Sequence, residues 1–301
     1  MITCHFLNVG QGTSQVIEIG QQRAIIVDAG PKNGGCQLLR LLADRKIETI
    51  EWLILSHNDG DHINGVDSLL RKYADKIKKI GFLVDRNFIN QQGGQTVIQV
   101  VQKYSTIISR RLEVDAPNLE KSIFDEESTN TKITLLFPTL KTNLLKLKND
   151  TCAILALHIN SEKIIFSGDA PIAAWRDIVT RNKDQRIITN ILTVPHHGGV
   201  FASQEELNEF HSQLVKTDYA IASFASNREK IPRSEVIQSF VKHGIEVFCT
   251  QRARQCGGTE NNMECCGTII VDIGQSLHIR NGVELRKRKS MIKPRLCCAE
   301  Q

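Results

Sequence analysis

Four groups able to hold a cation stand within six residues, in His57-Asn58-Asp59-Gly60-Asp61-His62. They follow directly on the apolar run Glu51–Ser56, with Trp52, Leu53, Ile54 and Leu55. A short run of this kind, bounded by polar residues, predicts a buried strand. A core has no use for two carboxylates at such a strand end, because unpaired and buried they are costly. Dications would neutralise them, and mixed imidazole and carboxylate donors suit zinc, manganese or iron. The plainer reading is a solvated acidic loop that caps the next helix, with Asp59 or Asp61 at the N-cap.

Three further strand ends carry the same kinds of group. Asp28 follows the predicted strand Arg23–Val27, Asp169 follows Lys163–Ser167, and Pro195-His196-His197-Gly198-Gly199 follows Ile187–Val194. Each alone is weak: an aspartate after a strand is usually a turn residue or a cap, and a His-His pair is usually incidental. Together, in this order, they read as one site assembled along a sheet edge.

The rest of the chain supplies scaffold. Its 301 residues suffice for one large domain or two small ones, and 41% apolar with 24% charged residues supports an ordinary core. Strands are predicted at Thr3–Val9 and Ser14–Ile19 about a Gly10-Gln11-Gly12 turn, at Ile80–Val84, Lys132–Phe137, Tyr219–Ser223 and Glu246–Thr250. Hairpins are predicted at Thr151–Ile159 with Lys163–Ser167, and at Gly267–Ile273 with Ser276–Ile279. Helices are predicted over Cys36–Arg45, from the cluster to about Tyr73, and over Thr96–Arg110, Ala173–Arg181, Gln204–Val215 and Ser234–His243. The stretch from about Asp115 to Thr131 reads as irregular. Strand-rich ends with interspersed helices imply sheets covered by helices in two similar halves. No linker marks a boundary, so residues 1–283 read as one domain and 284–301 as a basic tail.

A net charge of +5 fits an anionic substrate without demanding one. Arg286, Lys287, Arg288, Lys289, Lys293 and Arg295 could touch nucleic acid or form a solvated terminus. No apolar run reaches the ~18–20 residues needed to span a bilayer, and no secretory signal is evident. The reading is cytoplasmic, with no membrane partner. Of nine cysteines, Cys4, Cys36 and Cys152 read as small core residues. Cys249, Cys256, Cys265 and Cys266 read as free thiols, a metal or disulfide staple, or a partner contact, and Cys297 and Cys298 as free.

The order Asp28, His57-x-Asp59-x-Asp61-His62, Asp169 and His196-His197-Gly198 resembles the metallo-β-lactamase superfamily, as do Asn8–Gly12, Val27–Gly30, Phe166–Asp169 and Val194–Gly199. It is most similar to the hydrolase domain of ComEC-type competence (DNA-uptake) proteins. The resemblance covers about residues 1–280. It implies an α/β fold, the four-layer αβ/βα sandwich of the metallo-β-lactamase type, and two divalent metal ions (zinc or manganese). It places His57 and Asp59 on the first ion, Asp61 and His62 on the second, Asp169 between them, and His197 completing the second site with His196 as its rival. Asp28 would orient a ligand. The chain departs from the family where Asp59 replaces a histidine and where Lys148–Cys152 lacks one; Asn149 and Asp150 are the candidate stand-ins, with Asp150 otherwise placed behind the ligands. His158 reads as structural.

A hydrolase follows, in which water made acidic by the two cations attacks phosphorus or carbonyl carbon. Asp61 and His196 are the catalytic candidates, His196 as proton donor to the leaving group. The leading expectation is a phosphodiesterase or nuclease acting on DNA, with a protein partner in a bacterial defence or processing system. The alternatives are a small-molecule phosphodiesterase or thioesterase, and a non-catalytic binding protein that keeps the fold.

Overall fold

Most strands of this chain are apolar on both faces, and a strand so made must be covered twice. The computed structural model describes residues 1–32, 35–82, 99, 112–113, 122–138, 152–183, 185–224, 231–251, 267–274 and 276–281. One sheet contains, in spatial order, β17 (Leu277–Asn281), β16 (Ile269–Ile273), β1 (Ile2–Phe6), β2 (Gln15–Ile19), β3 (Arg23–Val27), β4 (Thr49–Leu55), β5 (Ile80–Phe82) and β6 (Leu112–Glu113). A second contains β15 (Glu246–Cys249), β14 (Tyr219–Ala222), β12 (Ile191–Thr193), β10 (Glu162–Phe166), β9 (Ile154–Ile159), β8 (Thr131–Phe137) and β7 (Ser122–Glu126). Two short strands, β11 (Ile187–Ile188) and β13 (Val215–Lys216), pair apart from both.

Alternation along each strand then assigns residues to layers. Ile17, Ile25 and Ile54 of the first sheet meet Leu155, Phe166 and Ile221 of the second in a shared core. Their chain neighbours point the other way. Val16, Ile26 and Leu53 pack on helices α1 (Gly35–Asp44) and α3 (Val66–Tyr73) through Leu38, Leu42, Leu69 and Leu70. Ala156, Ile165 and Leu192 pack on α4 (Ile172–Arg181) and α6 (Ser234–Lys242) through Trp175, Ile178 and Phe240. The result is helix, sheet, sheet, helix: the four-layer αβ/βα sandwich. Each fully buried aliphatic side chain contributes roughly 1.5–3 kcal/mol before entropy is counted.

Several elements differ from the sequence reading. The helix expected to run from the cluster to Tyr73 is two helices, α2 (Gly60–Ile63) and α3, divided at Asn64-Gly65. The strand expected over Ile187–Val194 is divided into β11 and β12. Between them Thr189 and Asn190 donate to carbonyls of Lys216 and Lys163 and carry the chain from one sheet to another. The helix expected over Gln204–Val215 narrows to α5 (Gln204–Glu209), continues as a wider turn over Phe210–Leu214 and ends where Val215 joins β13. The stretch read as irregular contains β7 and a tight turn over Glu127–Thr129. Cys4, Cys152 and Cys249 are buried, but Cys36 lies exposed on α1. The helix expected over Thr96–Arg110 falls, save residue 99, outside the described residues; so do Asn149, Asp150, Cys256, Cys265, Cys266 and the basic tail. Among the described residues no helix is long and apolar enough to cross a membrane.

Topology places the site. β3 and β4 are parallel, and so are β10, β12 and β14. Parallel neighbours end along a common edge, the usual position of ligand sites in such sheets.

Candidate metal centre

Asp28 stands just past the carboxyl end of β3, His57 past β4, Asp169 past β10, and His196 and His197 past β12, while Asp59 is the N-cap residue of α2 and Asp61 and His62 lie within it. The His57–His62 loop is held by backbone contacts. Ala29 and Gly30 N–H both donate to the His62 carbonyl, at 2.8 and 3.0 Å, and Thr13 N–H donates to that of Asp61 at 3.3 Å. Gly12 has φ +132, and a Cβ there would stand 2.1 Å from the Asp61 carbonyl oxygen, so only glycine lets the first loop close over the cluster. Across the site, His196 and His197 have φ of 52 and 56. Two consecutive non-glycine residues in the left-handed region cost about 1–2 kcal/mol each. They are held by the bond from His196 N–H to the Gly168 carbonyl, 3.0 Å, and by the packing of Gly198 on Pro232.

Hydrogen bonds on the outer edge of each ring decide what the inner edge presents. Asp28 is buried and its carboxylate can only accept. Oδ2 accepts from His62 Nδ1 at 2.7 Å, Thr13 Oγ1 at 2.9 Å and Ser56 Oγ at 2.7 Å, and Oδ1 accepts from Ser56 N–H at 2.8 Å. His62 therefore carries a proton on Nδ1. His197 Nδ1 donates to the Ser223 carbonyl at 2.9 Å, which fixes its proton likewise. Ser56 Oγ, having given its proton to Asp28, accepts from His57 Nδ1 at 2.9 Å. In the neutral rings all three Nε2 atoms are then lone pairs turned inward.

These lone pairs converge. His62 Nε2 lies 3.1 Å from His197 Nε2 and 3.3 Å from Asp169 Oδ1. His197 Nε2 lies 3.2 Å from Asp61 Oδ2 and 3.4 Å from Asp169 Oδ1. His57 Nε2 lies 3.6 Å from both Asp169 Oδ2 and Asp59 Oδ2. Among the described residues, His57 Nε2 and Asp169 Oδ1 are buried without any hydrogen-bond partner. Acceptors packed this closely repel unless positive charge lies among them. Protons show the same demand. Burial and neighbouring His57 oppose protonation of His62, yet Asp169 and Asp28 lift its pKa to about 10. Against its burial, the imidazoles of His197, His62 and His57 hold Asp169 well below the carboxylate range. Against burial, too, His197 and His62 bring Asp61 to about 2.

Among the described residues, two sets of donors have all their ligand atoms within 4.8 Å of one another: His57, His62 and Asp169, and Asp61, His62 and His197. His62 belongs to both. Asp59, with a side chain 66% exposed, stands at the rim. His196 is 43% exposed, with Nε2 3.7 Å from Asp169 Oδ2. His158 is a half-buried residue of β9 beside Thr134. Sequence reasoning missed Thr13, Ser56, Cys152 and Ser223, which touch the backs of the ligands. Only the position of Thr13, just after a glycine-flanked turn, and of Ser56, just before His57, could have pointed to two of them.

The chain belongs to the metallo-β-lactamase superfamily, whose sequence model matches residues 7–211. Among curated proteins it is similar to ComE operon protein 3 of Bacillus subtilis (strain 168), 23% identical over 263 residues. The match covers 82% of this chain and 31% of that protein, so the chain spans about a third of its relative's length. Among solved structures it is similar to the metallo-β-lactamase fold protein YhfI from Bacillus subtilis, with a TM-score of 0.52 and 12% identity over 83% of this chain and 97% of that one. It is also similar to Tm1679, described as a metal-dependent hydrolase of the β-lactamase superfamily, with a TM-score of 0.50 and 9% identity over 83% and 96%.

Proposed function

We propose that the chain is a phosphodiesterase, acting as a nuclease on DNA, with two divalent cations held at this edge. The facing lone pairs of His62 and His197, 3.1 Å apart with both Nδ1 atoms committed elsewhere, carry the metal part of this reading. The donors fit the group: imidazole nitrogens and carboxylate oxygens suit zinc or manganese. His57, Asp169 and rim Asp59 would hold one ion; Asp61, His62 and His197, with Asp169, would hold the other. When bound, such a pair supplies an acidified water and positive charge facing a phosphoryl oxygen.

The chain's own residues do the rest. Asp61 has so low a pKa that it suits cation binding and water orientation rather than proton storage. His196, exposed at the rim and close to Asp169, is placed to donate a proton to the leaving oxygen. Asp28, Thr13, Ser56 and the Ser223 carbonyl fix the ring tautomers. The resemblance to DNA-uptake hydrolase domains supports a phosphodiester over a thioester.

The test is release of nucleotides from single- and double-stranded DNA with zinc or manganese added, on wild type, Asp169→Ala and His196→Ala. Expected are cleavage by wild type, none by Asp169→Ala with the fold retained, and a turnover loss of about 10²–10⁴ in His196→Ala without loss of metal. Full turnover in Asp169→Ala would refute the site. Cleavage of thioesters but not of phosphodiesters would move the substrate.

A further inference from the structure

We propose that the thiol of Cys152 is a positioning residue, whose sulfur ties the ring of His57 to the backbone of Asp169 and sets how tightly the centre holds metal. The proposal rests on the metal reading above. Ala153 N–H donates to the Ser56 carbonyl at 2.8 Å. That bond pins the start of β9 against the end of β4 and brings Cys152 to where β4, β9 and β10 meet. The residue is buried at 3% exposure. Its sulfur accepts the Asp169 N–H at 3.0 Å and stands 3.4 Å from His57 Nδ1. The fit is close: Gly168 has φ +49, and a Cβ there would lie 2.3 Å from the sulfur.

Direction decides the role. Ser56 Oγ gives its proton to Asp28, so His57 Nδ1–H faces the serine oxygen and the cysteine sulfur, and the bare Nε2 turns to Asp169 and Asp59. The sulfur touches the edge of the ring away from Nε2 and so supports the ligands from behind. One acceptor thereby fixes both an imidazole and the loop of a carboxylate that come from different sheets. Groups behind a metal ligand typically change affinity by about 10–100-fold when removed.

The 301-residue chain, stripped of metal, is titrated with zinc alone and with manganese alone against a competing chelator, and its thermal unfolding is followed without metal. Cys152→Ala removes the acceptor and is expected to weaken affinity by about 10–100-fold. Cys152→Ser, whose hydroxyl still accepts, is expected to recover most of the loss. Cys152→Val fills the space without an acceptor and is expected to match the alanine variant, serving in its place should that variant not fold. Cys4→Ala, in the core between the sheets, is expected to lower the unfolding temperature and leave affinity unchanged. Unchanged affinity in Cys152→Ala or Cys152→Val, with wild type binding metal, overturns this proposal alone. A wild type that binds neither ion overturns the metal reading and this proposal with it.

Discussion

Asp28 is surrounded by donors: two hydroxyls, a backbone N–H and an imidazole all reach one buried carboxylate. Such a group cannot reach solvent or a cation from where it stands, so its effect passes through the His62 tautomer. Asparagine in its place would bring an amide donor to Nδ1 and push the ring proton onto Nε2, into the cluster. Asp28→Asn is therefore expected to weaken metal binding by about 10–100-fold, measured by chelator competition. Equal affinity in that variant would show that the tautomer is fixed elsewhere. At this scale the sequence is legible where a residue's type alone implies chemistry. Acid and imidazole at four strand ends are visible in one dimension. The hydroxyls of Thr13 and Ser56 are ordinary until folding brings them to Asp28. Cys152 reads as a small core residue because its burial is visible in an apolar stretch, whereas its contact with His57 is not.

At the scale of elements, the short break at Asn64-Gly65 aims the cluster. Gly65 N–H donates to the Gly30 carbonyl at 2.8 Å, and a Cβ on Gly65 would stand 2.1 Å from the Ala29 carbonyl oxygen. The α3 helix can thus dock on the loop that follows β3 only through a glycine. Gly65→Ala is expected to lower stability by about 1–3 kcal/mol through overpacking and to weaken metal binding, since His62 rides on that contact. Chemical denaturation with the metal titration checks both; an alanine variant with unchanged midpoint would contradict the close approach. The sequence predicts one continuous helix here because local periodicity records which residues favour a helix, and close approach to a distant carbonyl leaves no local trace. Tertiary pairing likewise divides the Ile187–Val194 run, whose composition alone reads as one strand.

At the scale of the molecule, two sheets stacked through one apolar core bring the parallel strand ends of each to a common edge. His62 from the first sheet's side and His197 from the second's face each other there. Layering is legible in the sequence from strands apolar on both faces with helical blocks between them. Strand order is not, because β1 pairs with β16 across more than 260 residues and no periodicity encodes that partner. Everything proposed for the site requires that this edge hold cations. The direct measurement is metal content of the purified 301-residue chain and of His62→Ala, with folding checked in parallel. The account predicts about two divalent ions per wild-type chain and loss of metal from folded His62→Ala. A folded wild type that takes up no zinc or manganese, or a His62→Ala variant that keeps both ions, would contradict it.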